Sequence, residues 1–202
     1  MAALRIDVPI SLQGRAVRLE PLKAGHIPGL AAVGIDDAIW QNMPYGEMKD
    51  EADIARWARA MLALAIEGTD IPFAVIHEAS GRVAGATRYM DIRSAHRGLE
   101  IGGTWYGAEF RRTAVNTECK YLLLRHAFEV MGCIRVQFKT DLRNERSQRA
   151  IERLGAVKEG ILRNHMILPD GYQRHSVYYS VLDSEWPTVK RGLERMLGSK
   201  GD

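Results

Sequence analysis

The stretch Leu99-Glu-Ile-Gly-Gly-Thr-Trp-Tyr-Gly-Ala-Glu-Phe-Arg-Arg-Thr-Ala-Val-Asn-Thr-Glu-Cys-Lys-Tyr-Leu-Leu-Leu-Arg-His-Ala-Phe-Glu-Val-Met131 decides the fold. Its residues 99–106 are predicted to form a strand, which a short basic turn connects to a long helix. A strand that runs into a helix start points backbone N–H groups at whatever lies in front of it. The partial positive charge of the helix start adds to them, and Arg111 and Arg112 supply permanently charged donors. The stretch therefore predicts a site for an anion such as a phosphate.

Packing alone explains the apolar residues of the predicted helix. They fall on one helical face: Cys119, Leu122, Leu123, His126, Ala127 and Val130. We interpret this face as core against a sheet, with His126 as a core histidine. Core packing does not require the two adjacent arginines of the turn or the small Ala114 that follows them. An R-x-x-A-x-N turn is a weak motif by itself, so the anion site needs support from the rest of the chain.

The composition is that of an ordinary globular protein, with 202 residues, 46% hydrophobic, 26% charged and a net charge of +3. We expect one domain, residues 1–202, and no nucleic-acid partner, because the arginines are scattered. No apolar run reaches the length of a membrane span, and the N-terminus lacks a signal peptide's apolar core, so we expect a cytoplasmic protein with no membrane partner. Cys119 and Cys133 would lie ~20 Å apart along the helix, too far to form a disulfide.

The remaining elements are predicted from apolar periodicity and turn residues. Before the central stretch we expect strands at residues 4–10, 16–20, 71–77 and 82–92, and helices at 23–33, 36–41 and 50–67. After it we expect a strand at 134–140, a helix at 145–154, a hairpin of strands 159–168 and 173–182, and a helix at 184–197. This order predicts the α+β class: a mostly antiparallel sheet with one strand–helix–strand crossover at its centre.

A second polar junction supports a ligand site. Asn144 follows the strand that returns beside the first one, and Ser147 lies one turn into the next helix. Asn144 can be a plain helix N-cap with Ser147 as an ordinary helical serine, or its amide can donate to a carbonyl of an extended ligand. If two neighbouring parallel strands end at this edge, a ligand would lie in the gap between them.

These residues carry a resemblance to a known family. The run from Glu100 to Gly155, with the Arg15 to Arg18 start and the Pro169-Asp-Gly171 turn, resembles the GCN5-related N-acetyltransferases (GNATs). Within that family it is most similar to the RimJ/RimL-like branch of ribosomal-protein alanine N-acetyltransferases. The resemblance is strong over residues 101–155 and weak over 25–50. It implies a mixed sheet with helices on both faces, two splayed central parallel strands, acetyl-CoA as co-substrate in the gap between them, and no metal.

The resemblance also implies which residues hold the cofactor. The family's Q/R-x-x-G-x-G/A turn corresponds to Arg111 through Asn116, whose amides would hold the pyrophosphate, while a strand edge would pair with the pantetheine arm. The full implied set is Thr104, Trp105, Tyr106, Arg111, Arg112, Thr113, Ala114, Val115, Asn116, Asn144 and Arg149. Ala114 and Asn116 replace family glycines; alanine keeps the backbone accessible, and asparagine tolerates unusual φ/ψ values.

The implied acid catalyst departs from the commonest family pattern. Many members place a tyrosine seven residues after the asparagine, where it protonates the departing CoA thiolate. This chain has Ile151 there. The branch that the chain most resembles uses a serine three residues after the asparagine, which here is Ser147. We therefore predict Ser147 as the general acid or hydrogen-bond donor to the thiolate.

Glu100 is the predicted general base, because family members often carry a glutamate on this strand. A carboxylate there can take the proton of an alkylammonium directly or through one water. If Ile101 faces the core, Glu100 faces the other side of the sheet, which is either the active-site cleft or solvent. Glu109 and Asp91 are the alternative carboxylates.

The acceptor pocket is predicted to use Trp40 and Tyr45 from one loop and Arg163 and His165 from the late hairpin, although the two aromatic residues can equally cap the core. A protein N-terminus, a free amino acid, a polyamine or an antibiotic amine all remain open as acceptors, and the donor can be acetyl-CoA or another acyl-CoA such as succinyl-CoA. A homodimer is possible. The rival classes are a non-catalytic CoA- or nucleotide-binding module on the same fold and, less favoured, a basic RNA- or ribosome-associated protein.

Overall fold

The computed structural model describes residues 4–198, which form one eight-stranded sheet with helices on both faces. The strands are β1 Leu12–Gln13, β2 Val17–Pro21, β3 Ile71–His77, β4 Val83–Arg93, β5 Gly98–Tyr106, β6 Arg135–Asp141, β7 Val157–Ile167 and β8 Gln173–Leu182. The α-helices are α1 Ile27–Gly34, α2 Asp37–Trp40, α3 Glu51–Ile66, α4 Val115–Arg125, α5 Glu145–Arg153 and α6 Trp186–Gly198.

The order of the sheet is β1-β2-β3-β4-β5-β6-β8-β7. Every neighbouring pair is antiparallel except β5 and β6, which are parallel and joined by the crossover helix α4. The predicted α+β class and the central strand–helix–strand unit are therefore confirmed. No helix among the described residues is long and apolar enough to cross a membrane.

The two central parallel strands separate after a short paired segment. β5 and β6 pair at Gly98↔Arg135, Leu99↔Val136 and Glu100↔Gln137. Beyond that point β5 pairs only with β4, and β6 pairs only with β8. The facing edges of residues 101–106 and 138–141 are thus left without a strand partner, and a wedge-shaped gap opens from Glu100 toward the start of α4.

Neighbouring residues of β4 show which helices cover each face of the sheet. The Tyr89 hydroxyl donates to the Leu123 carbonyl on α4 at 2.7 Å, whereas Arg88 contacts the Met61 sulfur on α3. Successive side chains of a strand point to opposite faces, so α4 and α3 lie on opposite sides. By register Ile101 pairs with Tyr89 and points to the α4 face, and Glu100, one residue earlier, points to the α3 face.

The long predicted helix is continuous but changes its winding. After α4, residues His126–Val130 form a π-helical turn, in which backbone bonds are one residue longer than in an α-helix. The His126 ring stacks on Tyr89, with 6.2 Å between the centroids, and burial lowers its pKa. His126 therefore packs against the sheet, as predicted. The α4 carboxylate of Glu118 accepts from the backbone N–H groups of residues 15–17 at 2.6–2.9 Å, which fastens the helix to the start of β2.

Several local predictions were inaccurate. The helix expected at 23–33 begins as a 3-10 turn, Ala24–His26, and becomes α-helical only at Ile27. Residues 4–10 are not a strand: the Leu4 and Arg5 N–H groups bond to the separate carbonyls of Ser94 and Met131, and Pro9 has no N–H to add to a ladder. β7 begins at residue 157 rather than 159, and α6 begins at 186 rather than 184. Cys119 and Cys133 are free, buried thiols, as predicted.

Candidate active site

The predicted anion-binding turn leads directly into α4. The Thr113 hydroxyl donates to the Phe110 carbonyl at 2.7 Å and accepts from the Val115 N–H at 3.2 Å, so it caps the first turn of the helix. Arg112 has a left-handed backbone with φ +62°, which turns the chain sharply just before the helix. The helix start therefore opens beside the free edge of β5, where its dipole and first-turn N–H groups favour an anion.

The two arginines of the turn have different environments. Arg111 Nη2 contacts Asp36 Oδ2 at 2.7 Å, and its Nε donates to the Tyr106 carbonyl at 3.0 Å. Arg111 thus ties the turn to the start of α2 and already has a carboxylate partner. The Arg112 side chain is exposed beside the helix start. Cofactor binding by either arginine stays a prediction, and the geometry favours Arg112 for a free ligand.

The edge of β5 that lines the gap presents main chain rather than large side chains. Trp105 and Tyr106 are 3% and 8% exposed, so their rings lie within the core. The Thr104 hydroxyl lies 2.7 Å from the Thr87 hydroxyl and accepts from the Lys120 ammonium at 2.5 Å. An extended ligand could therefore meet this strand edge only through backbone groups, of which the Tyr106 carbonyl is already bonded to Arg111. Cofactor binding by Thr104, Trp105 and Tyr106 stays a prediction.

Lys120 is a buried ammonium that the sequence did not single out. It is 6% exposed, and its partners are the hydroxyls of Thr104 and Thr87 rather than a carboxylate. Burial lowers its pKa from 10.5 to about 8. The sequence signal was a charged residue on the apolar face of a helix, beside Cys119.

Glu100 lies at the vertex of the gap and is 2% exposed. Its carboxylate accepts from Gln137 Nε2 at 3.0 Å and lies 3.3 Å from the Lys139 ammonium. Of the two alternatives left by strand alternation, solvent is excluded, because Glu100 points into the interior on the α3 face. Gln137 and Lys139 thus hold the carboxylate in place at the vertex of the gap.

The alternative carboxylates are placed differently. Asp91 Oδ2 accepts from Gln137 Nε2 at 3.0 Å, so one amide links Asp91 with Glu100. Glu109 forms a bidentate pair with Arg82 at 2.7–2.8 Å on an exposed surface. The structure therefore brings Asp91 close to Glu100, whereas Glu109 belongs to a separate surface ion pair.

The predicted acceptor residues divide between the cleft and the core. His165 Nδ1 lies 3.0 Å from the Ser176 hydroxyl, and its Nε2 lies 3.3 Å from the Tyr178 hydroxyl. Desolvation and the charges of Lys139 and Arg174 lower its pKa. Arg163 is exposed and lines an open groove beside His165.

The two aromatic residues of the predicted acceptor loop also differ. The Trp40 indole is 2% exposed, donates to the Gly34 carbonyl at 2.7 Å and packs against Trp57 and Trp105. It therefore caps the core, the second of the two roles considered for it. The Tyr45 hydroxyl instead accepts from Arg88 Nη2 at 2.9 Å on the α3 face.

The start of α5 supports both interpretations of its asparagine. Asn144 Oδ1 accepts from the Ser147 N–H at 3.0 Å, so Asn144 is the N-cap. Within the described residues its Nδ2 makes no hydrogen bond and can still donate to a ligand. Ser147 is half-buried one turn later. Arg149 is exposed and pairs with Glu145 at 3.0 Å, so its predicted cofactor role has no support from its present contacts.

Sequence reasoning missed the polar groups around Glu100, namely Gln137, Lys139, Arg174 and Tyr178. A signal for them exists in β8, where buried Arg174, Ser176 and Ser180 alternate with the apolar residues Val177, Tyr179 and Val181. Period-two alternation normally separates core from solvent. Here both sets are buried, so the polar set faces an interior cleft.

With this geometry established, comparison with known proteins identifies the family. The sequence matches the family described as acetyltransferase (GNAT) domain over residues 16–157, more than half of the chain. The protein therefore belongs to the GNAT family of acetyltransferases. The splayed parallel pair and the anion-binding helix start are the expected features of that fold.

Individual relatives agree with this assignment. A GCN5-related N-acetyltransferase from Brucella melitensis is 33% identical, with 98% of this chain and 89% of that chain covered and a TM-score of 0.90. The Bacillus subtilis (strain 168) protein named "Putative ribosomal N-acetyltransferase YdaF" is 31% identical over 110 residues, which are 54% of this chain and 59% of that relative. Mycobacterium smegmatis RimJ, in complex with CoA-disulfide, shares the fold at 18% identity, with 95% of each chain covered and a TM-score of 0.78. The predicted GNAT family is thus confirmed, and the likeness to RimJ is one of fold.

Proposed function

We propose that residues 1–202 form one acyltransferase domain that transfers an acetyl group from acetyl-CoA to a primary amine, either a protein N-terminus or a small molecule. The observation that carries this proposal is the wedge between β5 and β6, with a helix start at its open end and Glu100 at its vertex. Family membership supports the acetyl donor, and RimJ, which has the same fold, holds a CoA derivative.

The proposed cofactor site follows the gap. N–H groups of the turn 112–116 would hold the pyrophosphate, and the β5 edge at residues 104–106 would pair with the pantetheine arm. Acetyl-CoA supplies an activated thioester carbonyl. No metal is part of the proposed reaction.

In the proposed reaction, Glu100 accepts a proton from the acceptor ammonium, directly or through one water. The neutral amine then attacks the thioester carbonyl, so that a C–N bond forms, the C–S bond breaks, and the sulfur leaves with the electron pair. Ser147 donates a hydrogen bond or proton to the departing thiolate, and backbone N–H groups along the gap stabilise the negative charge on the carbonyl oxygen. After attack the nitrogen still carries one surplus proton, which passes to the departing thiolate directly or through the Ser147 hydroxyl and gives free CoA thiol. The proton held by Glu100 is then released to solvent, so both residues return to their starting states.

A thiol-release assay tests the proposal. Acetyl-CoA is titrated first, and binding at micromolar concentration is expected; absence of binding would reject every CoA-dependent function. Release of free CoA is then measured across protein N-terminal peptides and small amines, with succinyl-CoA as the alternative donor. Acceleration above the background hydrolysis by at least one amine supports the enzyme.

A non-catalytic CoA-binding module is the second candidate. It is favoured by Ile151 at the position of the usual tyrosine acid and by the engagement of Glu100 with Lys139 and Gln137. Tight CoA binding without amine-dependent thiol release would establish this alternative.

A further inference from the structure

Two arginines are buried on the α3 face, and among the described residues one of them has an ion-pair partner and the other has none. Arg88 lies 3.1 Å from Asp70, and its Nη2 donates to the Tyr45 hydroxyl at 2.9 Å. Arg174, on β8, is 5% exposed. Among residues 4–198 its one hydrogen bond is a long one, 3.4 Å from Nη1 to the Asn42 carbonyl, and its buried Nε has no partner.

A guanidinium in this condition is costly for the folded protein. It carries several N–H donors, and each buried donor without an acceptor costs free energy. Burial accordingly lowers the pKa of Arg174, although the charges of Asp141 and Glu100 oppose that shift. No carboxylate of the described chain lies within ion-pair distance of Arg174, so its guanidinium has donors available for an anionic ligand.

The carboxylates that act on Arg174 through space are already neutralised. Asp141 pairs with Arg143 at 3.0 Å, and Glu100 pairs with Lys139 at 3.3 Å. The charged groups on this face form four ion pairs, namely Arg88–Asp70, Lys139–Glu100, Arg143–Asp141 and Arg93–Asp91. Among residues 4–198, Arg174 is the cation of this cluster that has no ion-pair partner. The cluster carries one positive charge in excess, which favours an anionic ligand.

Arg174 also lies on the acceptor side of the site. Its Nη1 reaches the loop that carries Tyr45, and its charge acts on both Tyr45 and His165. These are two of the predicted acceptor residues. Glu100, which is suited to an ammonium group, is close enough for its charge to act on Arg174.

We propose that Arg174 binds a carboxylate of the acyl acceptor, so that the accepted amines carry a carboxylate near the reacting nitrogen. This inference rests on the proposed function and specifies its substrate class. Glu100 would hold the ammonium end and Arg174 the carboxylate end, and planar guanidinium–carboxylate geometry would supply the discrimination. The carboxylate can belong to a free amino acid or to an acidic residue at a peptide N-terminus.

The experiment compares matched acceptors that differ only in this group. Leucine is paired with leucinamide, and aspartyl-alaninamide with asparaginyl-alaninamide, at saturating acetyl-CoA. Wild type, Arg174→Met and Arg174→Lys are measured, with Arg59→Met, an exposed arginine of α3, as the matched control. Each acceptor is compared between proteins, so differences in amine basicity cancel.

In Arg174→Met we expect kcat/KM for the carboxylate acceptor to fall about ten- to a hundredfold in at least one of the two pairs. The kcat/KM values for the amide acceptors should stay within about twofold of those of wild type. Arg174→Lys retains part of the preference, and the KM for acetyl-CoA is unchanged. The ligand-free Arg174→Met protein should unfold at the same temperature or a higher one, because a buried unpaired charge is removed.

The inference is overturned if Arg174→Met loses kcat/KM equally for the carboxylate and the amide acceptors, because Arg174 then has a structural role. A lower unfolding temperature of the ligand-free variant would lead to the same conclusion. If no amine is acetylated, the proposed enzyme fails, and the inference is decided by binding alone. Stabilisation of wild type by the carboxylate members, lost in Arg174→Met, supports a carboxylate site, and equal effects of both members of each pair reject it.

Discussion

The buried ammonium of Lys120 predicts a specific pH dependence of stability. Its pKa is lowered from 10.5 to about 8 in the folded protein. Between these values the unfolded chain binds more protons than the folded one, so the free energy of unfolding rises with pH. Below about pH 8 both states are protonated and the full cost of burying the charge is present.

The size of the effect follows from the shift. At about 1.4 kcal/mol per pKa unit, the shift corresponds to about 3 kcal/mol. Near pH 7 the free energy of unfolding is lower by this amount than it would be if Lys120 kept its pKa of 10.5 in the folded protein. Replacement by methionine removes this cost, but it also removes the contacts with Thr87 and Thr104. The quantity to follow is the free energy of unfolding of wild type minus that of Lys120→Met. Its change with pH reports the titration of Lys120, because every other group titrates in both proteins.

The assay is urea unfolding of both proteins at intervals from pH 7 to pH 10.5. Wild type should gain about 3 kcal/mol relative to Lys120→Met across this range. Thr104→Val is the matched control, because it removes one hydroxyl partner while it keeps the ammonium, and it should retain the rise with pH. If the difference in the free energy of unfolding between wild type and Lys120→Met does not change with pH, the pKa of Lys120 is not lowered by burial and the reasoning is refuted.

Three further predictions concern the proposed reaction. Ser147→Ala should lower turnover about tenfold or more with little change in CoA affinity, and an unchanged rate would remove Ser147 from the mechanism. Glu100→Gln should lower kcat about a hundredfold at neutral pH while circular dichroism stays unchanged, and the loss should shrink as pH rises and free amine accumulates; a constant loss at all pH values would argue against a proton acceptor. Ala114→Glu should abolish CoA binding measured by calorimetry without lowering the unfolding temperature, because a carboxylate enters the anion site, and retained affinity would place the pyrophosphate elsewhere.

Local sequence determined the elements and the edge of the sheet at which the site lies. Apolar periodicity of 3.6 and 2 residues gave the principal helices and strands, because each must bury one face. The turn before α4 and the N-cap Asn144 were also predictable, since both depend on a few adjacent residues. The strand expected at residues 4–10 failed because apolar content alone does not supply a hydrogen-bonding partner.

Long-range register decided what local sequence left open. Glu100 was compatible with cleft or solvent until pairing with Met90 and Gln137 placed it on the buried α3 face. Beyond Glu100, Gly103 adopts φ +57° and the register between β4 and β5 shifts. Trp105 therefore lies on the same face of the sheet as Glu100, whereas simple alternation would place the two on opposite faces. A bulge of this kind depends on the partner strand and has no period of its own.

The sequence by itself thus determined the fold class and the family resemblance, because these are properties of contiguous residues, and it predicts a cofactor turn at residues 111–116. Only the tertiary structure paired Glu100 with Lys139 and gave Arg111 its partner Asp36. It also buried Arg174 without an ion-pair partner among residues 4–198. Charged residues that are distant in the chain come into contact only when the sheet assembles. Their pKa values and hydrogen bonds depend on these contacts. The turn and the helix start proposed for the cofactor were therefore visible in the sequence, whereas the polar groups around Glu100 proposed for the acceptor required the assembled sheet.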